Sequence, residues 1–180
     1  RGGLHEEVLR VPLLVWAPGI AARRIDDLVE QVDVFATILE LAAVAAPPAL
    51  EGRSLAPALR GEPLAPRAAF AETTPAGFYA EPEIMGDVRV RSVIDGPWKL
   101  IVSQGLLGVR TELFRLDRDP GERDDLAAAE PDRVRNLTGL LAQWLLDERR
   151  RALELRRASL RPGAAAALEA VLPSPRWLLP

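Results

Sequence analysis

Residues 11–19 have the sequence Val-Pro-Leu-Leu-Val-Trp-Ala-Pro-Gly, a short apolar run that lies between two prolines. The run is continuous and does not alternate between apolar and polar residues, which is typical of a strand that is buried on both faces. Such strands belong to parallel sheets whose two faces are covered by helices. We therefore predict that this stretch is a core strand of an α/β protein, ended by Pro18 and Gly19.

The stretch that follows, from about Asp26 to Val44, has the spacing of a helix. Its apolar residues recur at three- and four-residue steps, and Asp26 or Asp27 is placed to cap the helix at its positive N-terminal end. A strand followed by a helix is half of an α/β repeat. Residues 1–66 are accordingly predicted to be the C-terminal end of an α/β core.

Residues 67–160 are predicted to form a small α+β subdomain. The strand candidates are Ala68–Glu72, Val88–Ile94, Trp98–Val102 and Glu112–Leu116. Asp95-Gly96 between two of them is a hairpin signal, so the sheet is expected to be antiparallel. A long helix begins near Pro131, and its apolar stripe is expected to cover one face of the sheet. Residues 161–180 are an Ala- and Pro-rich tail. The predicted fold class is therefore α/β, a strand plus a helix followed by a small antiparallel sheet and a long C-terminal helix.

Composition excludes several classes of protein. The 180 residues are 48% hydrophobic and 27% charged, with a formal net charge of -3 and no Cys. The nearly balanced charge argues against a dedicated nucleic-acid binder, and no apolar run approaches the roughly 18 residues of a membrane span. Without Cys, the chain has no disulfide, no thiolate metal site and no Cys nucleophile. The first residues are already motif-like and carry no initiator Met or signal-like segment, so we expect the chain to begin inside a larger protein.

Five sequence motifs occur in an order that resembles one protein family, the sulfatases. They are Arg1-Gly-Gly-Leu-His-Glu-Glu7 with the run to Gly19, Gln31-Val-Asp-Val-Phe-Ala-Thr-Ile-Leu-Glu-Leu41, Gly52-Arg-Ser-Leu55, Asp95-Gly-Pro-Trp-Lys-Leu-Ile101, and Glu112-Leu-Phe-Arg-Leu-Asp117 with Asp119-Pro-Gly-Glu122. Each motif alone is mostly strand, turn and helix chemistry. All five in this order resemble the C-terminal portion of a sulfatase, and the resemblance covers about residues 1–145.

The resemblance implies an alkaline-phosphatase-like α/β core with a small C-terminal sheet packed on it. It also implies hydrolysis of sulfate esters, on small molecules or glycans, by a formylglycine made from Cys or Ser with Ca²⁺ bound by acidic residues. The family's nucleophile lies in a Cys- or Ser-x-Pro-x-Arg segment, and this chain has no such segment. The family's metal-binding motifs are also absent from it. The chain by itself is therefore predicted to be inactive, with no catalytic residue and no metal ligand of its own.

Arg1 and His5 are the two candidate substrate-binding residues. Arg1 matches a family position that is Lys or His and that can face the sulfate, and its guanidinium has a forked geometry suited to an oxyanion. The alternative is that Arg1 is merely a chain end. His5 stands where the family usually has Tyr. It is open to acid–base chemistry at neutral pH, although a single His is more often structural.

Other polar residues have a structural interpretation beside a functional one. Glu6 and Glu7 resemble an acid–base pair, but neighbours on a strand point to opposite faces, so a salt bridge or helix-end role for one of them is preferred. The acidic residues from Asp117 to Asp125 lack the spacing of an EF-hand loop and are predicted to form a turn. The resemblance implies that some C-terminal loops contribute to the substrate pocket, and Thr73–Gly86, with Phe78 and Tyr79, is the most loop-like candidate.

Two alternatives to a sulfatase stay open at this point. One is a phosphoesterase or phosphotransferase of the same superfamily, whose nucleophile and metal ligands would differ upstream. The other is a non-catalytic protein that keeps this portion as a packing or interaction module.

Overall fold

The computed structural model describes residues 3–73, 89–105 and 108–159, with side chains up to residue 157. In chain order the helices are α1 (Glu6–Leu9), α2 (Val32–Leu41), α3 (Ala56–Arg60) and α4 (Pro131–Ser159), and the strands are β1 (Ala69–Thr73), β2 (Arg89–Asp95), β3 (Trp98–Gly105) and β4 (Gly108–Arg115). Among these helices, none is both long and apolar enough to cross a membrane.

The four strands form one antiparallel sheet in the order β1-β2-β3-β4. The β2–β3 hairpin closes with Asp95 opposite Trp98, and Gly96 lies in the turn with a φ of 56°. This left-handed conformation favours glycine, which explains why the Asp-Gly signal locates the hairpin correctly. The predicted fold class, mixed α/β with a small antiparallel sheet and a long C-terminal helix, is confirmed.

Both faces of the sheet carry buried side chains. A cross-strand row of Val93, Leu100 and Leu113 is fully buried on one face. On the other face, Val90, Ile101 and Phe114 form a buried cluster with Leu4, which comes from the segment before α1. Because strand neighbours alternate between faces, Lys99 lies on the same face as Ile101 and the Leu4 segment. The amino-terminal segment is thereby anchored on the sheet.

The predicted strand at residues 11–17 is wrong for the structure, which assigns no strand there. Leu14 is 94% exposed and Trp16 is 87% exposed. A strand exists only through hydrogen bonds to a neighbouring strand, and the described residues contain no parallel partner for this segment. The apolar sequence that predicted burial on both faces is therefore exposed on both.

The predicted helix from Asp26 is confirmed only in its second half, because α2 begins at Val32. Asp26 does not cap it, since its carboxylate pairs with the exposed Arg24 at 2.8 Å. The carboxylate at the start of α2 belongs instead to Asp33, which accepts the backbone N–H of Glu30 at 3.0 Å. The N-terminal boundary is thus set by a buried residue and not by the first acidic residue of the pattern.

The chain separates into two compact units, residues 1–129 and 130–180. The described part of the second unit is α4, which begins at Pro131 as predicted. Leu137 and Leu141, from its apolar stripe, are each 2% exposed. The packing of this stripe on the sheet, and the domain boundaries predicted near residues 66 and 160, stay predictions.

Candidate functional site

Asp33 is the centre of a polar joint between α2 and the loop at residues 52–55. Its side chain is fully buried and accepts the backbone N–H of Arg53 at 2.9 Å. Arg67 reaches the same carboxylate and also pairs with Glu30 at 2.8 Å. A buried carboxylate is costly unless it is paired and hydrogen-bonded, and Asp33 has both kinds of partner. The joint therefore accounts for Asp33 in the second sequence motif.

Thr37 completes this joint one helical turn later. Its hydroxyl donates to the Asp33 carbonyl at 2.7 Å and accepts the Leu55 N–H at 2.8 Å. Gly52 packs directly on the helix backbone, because a Cβ built there would lie 2.0 Å from the Val32 carbonyl oxygen. The second and third motifs are thus two halves of one contact, and their residues have structural roles.

Substituting Gly52 with Ala is expected to destabilise the chain by about 3 kcal/mol, because the new methyl group meets rigid backbone. Urea-induced unfolding measures the loss. Gly139→Ala in α4 is the matched control, since nothing lies near its Cβ position, and it is expected to stabilise by about 1 kcal/mol. A Gly52→Ala chain as stable as the wild type would show that this close contact is absent.

Lys99 is the centre of a second polar cluster, on the sheet face that carries the Leu4 segment. Its side chain is fully buried, and its ammonium lies 2.8 Å from Glu6 and 2.8 Å from Glu122. The Glu6 contact is a hydrogen bond, whereas the Glu122 contact is an ion pair without hydrogen-bond geometry. Glu122 also accepts the backbone N–H of Glu6 at 2.6 Å. The first, fourth and fifth motifs therefore meet at one lysine.

The predicted salt bridge for one of the two neighbouring glutamates is confirmed for Glu6, while Glu7 is exposed. The strand geometry assumed for them is wrong, because both lie in the short helix α1. Two partners of Glu6, Lys99 and Glu122, escaped the sequence analysis. The only signal for them was their presence in separate motifs, which does not show that the motifs meet in space.

His5, the candidate substrate-binding residue, immediately precedes α1 and is half-buried. Its carbonyl accepts the N–H groups of Val8 and Leu9 at 2.9 and 3.0 Å. Its ring lies 5.9 Å from the ring of Phe114, at an interplanar angle of 53°. The backbone of His5 is therefore fixed by the helical turn and its ring by β4. Arg1, the other candidate, lies outside the described residues, as do Phe78, Tyr79 and the tail.

The acidic stretch after β4 forms a turn. The Asp119 carboxylate accepts the N–H groups of Arg123 at 2.7 Å and Asp124 at 2.9 Å. The Asp125 carboxylate accepts the N–H of Leu113 at 3.0 Å. At the start of this stretch, a side-chain hydrogen bond from Arg115 lowers the pKa of Asp117. These carboxylates hold backbone, and within the described ranges no group of His, Asp and Glu has the arrangement to hold a metal.

The donor set that the sulfatase resemblance implies for Ca²⁺ therefore does not fit these residues. The nucleophile is also missing from the sequence, since there is no Cys and no Ser followed by x-Pro-x-Arg. What the described residues offer is a sheet to which the segment around His5 is bound through Leu4 and Glu6.

A protein-family model described as N-sulphoglucosamine sulphohydrolase, C-terminal, matches residues 2–151. This match, which includes the sheet, the Asp33 joint and the Lys99 cluster, places the chain in the class of sulfatase-family proteins, where it corresponds to their C-terminal portion. The chain belongs to the N-sulphoglucosamine sulphohydrolase C-terminal family.

Individual relatives agree with this assignment. Arylsulfatase K of Mus musculus is 30% identical over 137 residues, which cover 72% of this chain and 24% of that protein. A putative sulfatase from Bacteroides thetaiotaomicron is 29% identical with a TM-score of 0.53, over 72% of this chain and 26% of the other. A phosphonate monoester hydrolase from Silicibacter pomeroyi is 24% identical with a TM-score of 0.54, over 76% and 28%, and shows the shared fold alone. The chain thus spans about a quarter of the length of the relatives it matches.

Proposed function

We propose that this chain is the C-terminal portion of an enzyme that hydrolyses sulfate esters, on a small molecule or a glycan. The observation that carries the proposal is the family match over residues 2–151, because it includes both polar joints and the His5 segment. Within this proposal, His5 and Arg1 belong to the substrate pocket. A guanidinium at position 1 would neutralise a sulfate oxygen, and the His5 ring would offer a polar edge to the substrate.

The ligands of the family's calcium ion, and the residue that becomes its formylglycine, are proposed to lie outside this chain. When bound, a divalent cation supplies positive charge to the sulfate oxygens as the ester bond breaks. In this proposal, the residues of this chain orient the substrate-binding segment around His5. Phe114 makes a tilted ring contact with His5, and Leu4 packs against the sheet.

The test compares the full-length gene product that contains this chain with residues 1–180 alone. Both are assayed with para-nitrophenyl sulfate, para-nitrophenyl phosphate and a para-nitrophenyl phosphonate. We expect sulfate ester hydrolysis by the full-length protein and none above buffer by residues 1–180. Faster cleavage of the phosphate or the phosphonate would favour the phosphoesterase alternative. No cleavage of any of the three would favour a non-catalytic packing module.

A further inference from the structure

The segment from Gly3 to Leu9 is fastened to the sheet at points on either side of His5. Leu4, directly before it, is 4% exposed and packs with Val90, Ile101 and Phe114. Glu6, directly after it, is bound through its carboxylate to Lys99 and through its backbone N–H to Glu122. His5 therefore lies between an apolar anchor and an ionic anchor, with little freedom to shift along the sheet.

Glu122 has a backbone conformation that is unusual for its residue type. Its φ is 51°, in the left-handed region that favours glycine, and its side chain is 3% exposed. The glycine of this turn, Gly121, lies one position earlier, so the left-handed conformation falls on Glu122 and not on the glycine. A non-glycine residue persists in such a conformation when its surroundings hold it there, and strain of this kind clusters at functional sites. Here the carboxylate of Glu122 serves both Lys99 and the α1 backbone.

The chemistry of this anchor favours positioning over stability. Removing three charged groups from water costs free energy, and apolar residues of similar volume would hold the segment at lower cost. Charged hydrogen bonds, however, fix one register, because a shift of about 1 Å breaks them, whereas apolar contacts tolerate sliding. The cluster therefore sets where the residue next to Glu6 lies.

We propose that Lys99 and Glu122 are positioning residues for His5, and that they act on substrate binding through it. The inference rests on the proposed function, because it takes His5 to face the substrate. Neither Lys99 nor Glu122 is expected to touch the substrate, since both side chains are buried within the cluster.

The test uses the full-length gene product and para-nitrophenyl sulfate as the probe. Lys99→Met removes the central charge at nearly constant volume, and Glu122→Gln is a milder change that keeps an acceptor for the Glu6 N–H. Both are expected to raise KM about tenfold with kcat within about threefold, because a displaced His5 weakens substrate binding. Gly52→Ala is the control for stability, since it disturbs the Asp33 joint, and Arg24→Met is the control for charge, since both side chains of its pair with Asp26 are exposed. Both controls should leave KM within about twofold.

The decisive measurement is the double variant His5→Ala/Lys99→Met. If Lys99 acts through His5, the double variant has the same KM as His5→Ala alone, because nothing is left to position. Additive increases in KM, or single variants with unchanged KM, overturn the inference while the sulfatase activity of the wild type stands. If the wild-type protein cleaves no sulfate ester, the proposed function itself fails. If Lys99→Met does not fold, Glu122→Gln with and without His5→Ala gives the same comparison.

Discussion

Replacing Lys99 with Met lowers the free energy of unfolding of the chain by an expected 3–5 kcal/mol, about the cost of breaking a buried ion pair. The loss comes mainly from the two carboxylates that the substitution leaves without a cation. The carboxylate of Glu122 is 3% exposed and that of Glu6 is 17% exposed, so the variant keeps two neighbouring acidic groups without a cation. Adding Glu122→Gln to the variant should recover part of the loss, because it removes one of these two charges.

Urea-induced unfolding followed by circular dichroism measures this effect. Arg24→Met is again the control, because both side chains of its ion pair with Asp26 are exposed, and such pairs contribute about 0–1 kcal/mol. A loss for Lys99→Met no larger than that of the control would mean that water reaches the cluster in solution.

Replacing Asp33 with Ala is the second large effect, with an expected loss of about 3–5 kcal/mol. The carboxylate is fully buried and serves the N–H groups of Glu30 and Arg53 and the guanidinium of Arg67. The variant leaves the two N–H groups without their acceptor, and the Arg67 cation keeps only Glu30. The loop at residues 52–55 should detach from α2 before the sheet unfolds.

Hydrogen exchange gives the location of the damage as well as its size. In Asp33→Ala, the N–H groups of Arg53 and Leu55 should exchange faster, while those of β3 keep their protection relative to one another. Asp26→Ala is the matched control, because its pair with Arg24 is exposed on both sides, and it should change stability by no more than about 0.5 kcal/mol. Uniform loss of protection across the sheet would contradict a local joint.

The sheet and the long helix could be predicted from sequence because their signals are local. Asp95-Gly96 specifies a tight turn, and the strands on either side then pair by proximity. Pro131 marks the start of α4 for a reason that involves only its own missing N–H. Such features depend on a few neighbouring residues, so one sequence is enough to find them.

The remainder depends on partners that are distant in sequence or outside the chain. The run at residues 11–17 has the composition of a buried strand, yet the described residues give it no neighbour, and Trp16 is exposed. The helix α2 starts at Val32 and not at the predicted Asp26, and Asp33 in its first turn is bound by the loop at residues 52–55. Periodicity describes which face of a helix is apolar, but it carries no information about which polar residue is held by a distant loop.

For the candidate site, the sequence predicted a substrate-binding role for His5, which stays a prediction, and a salt bridge for Glu6 or Glu7, which is confirmed for Glu6. It did not predict the residues that hold this segment. In the sequence analysis Lys99 appeared only as part of the fourth motif, and Glu122 only as one acidic residue of a predicted turn. The contact between Lys99 and Glu122 depends on the register of β3 and on the turn after β4, and both are defined by the three-dimensional structure and not by local sequence. Arg1 and the loop residues Phe78 and Tyr79 stay predictions.

The contact between Glu6 and Glu122 also constrains the order in which this protein is made. The two residues are 116 positions apart, so the amino-terminal segment is synthesised long before its anchor. At translation rates of about 5–20 residues per second, roughly 6–23 s pass between the synthesis of Glu6 and that of Glu122, and Leu4 has no sheet to pack on during this time. The hairpins of the sheet close over short distances and can form as they emerge. Docking of the segment from Leu4 to Glu6 is then a late event, which completes a sheet that has already formed.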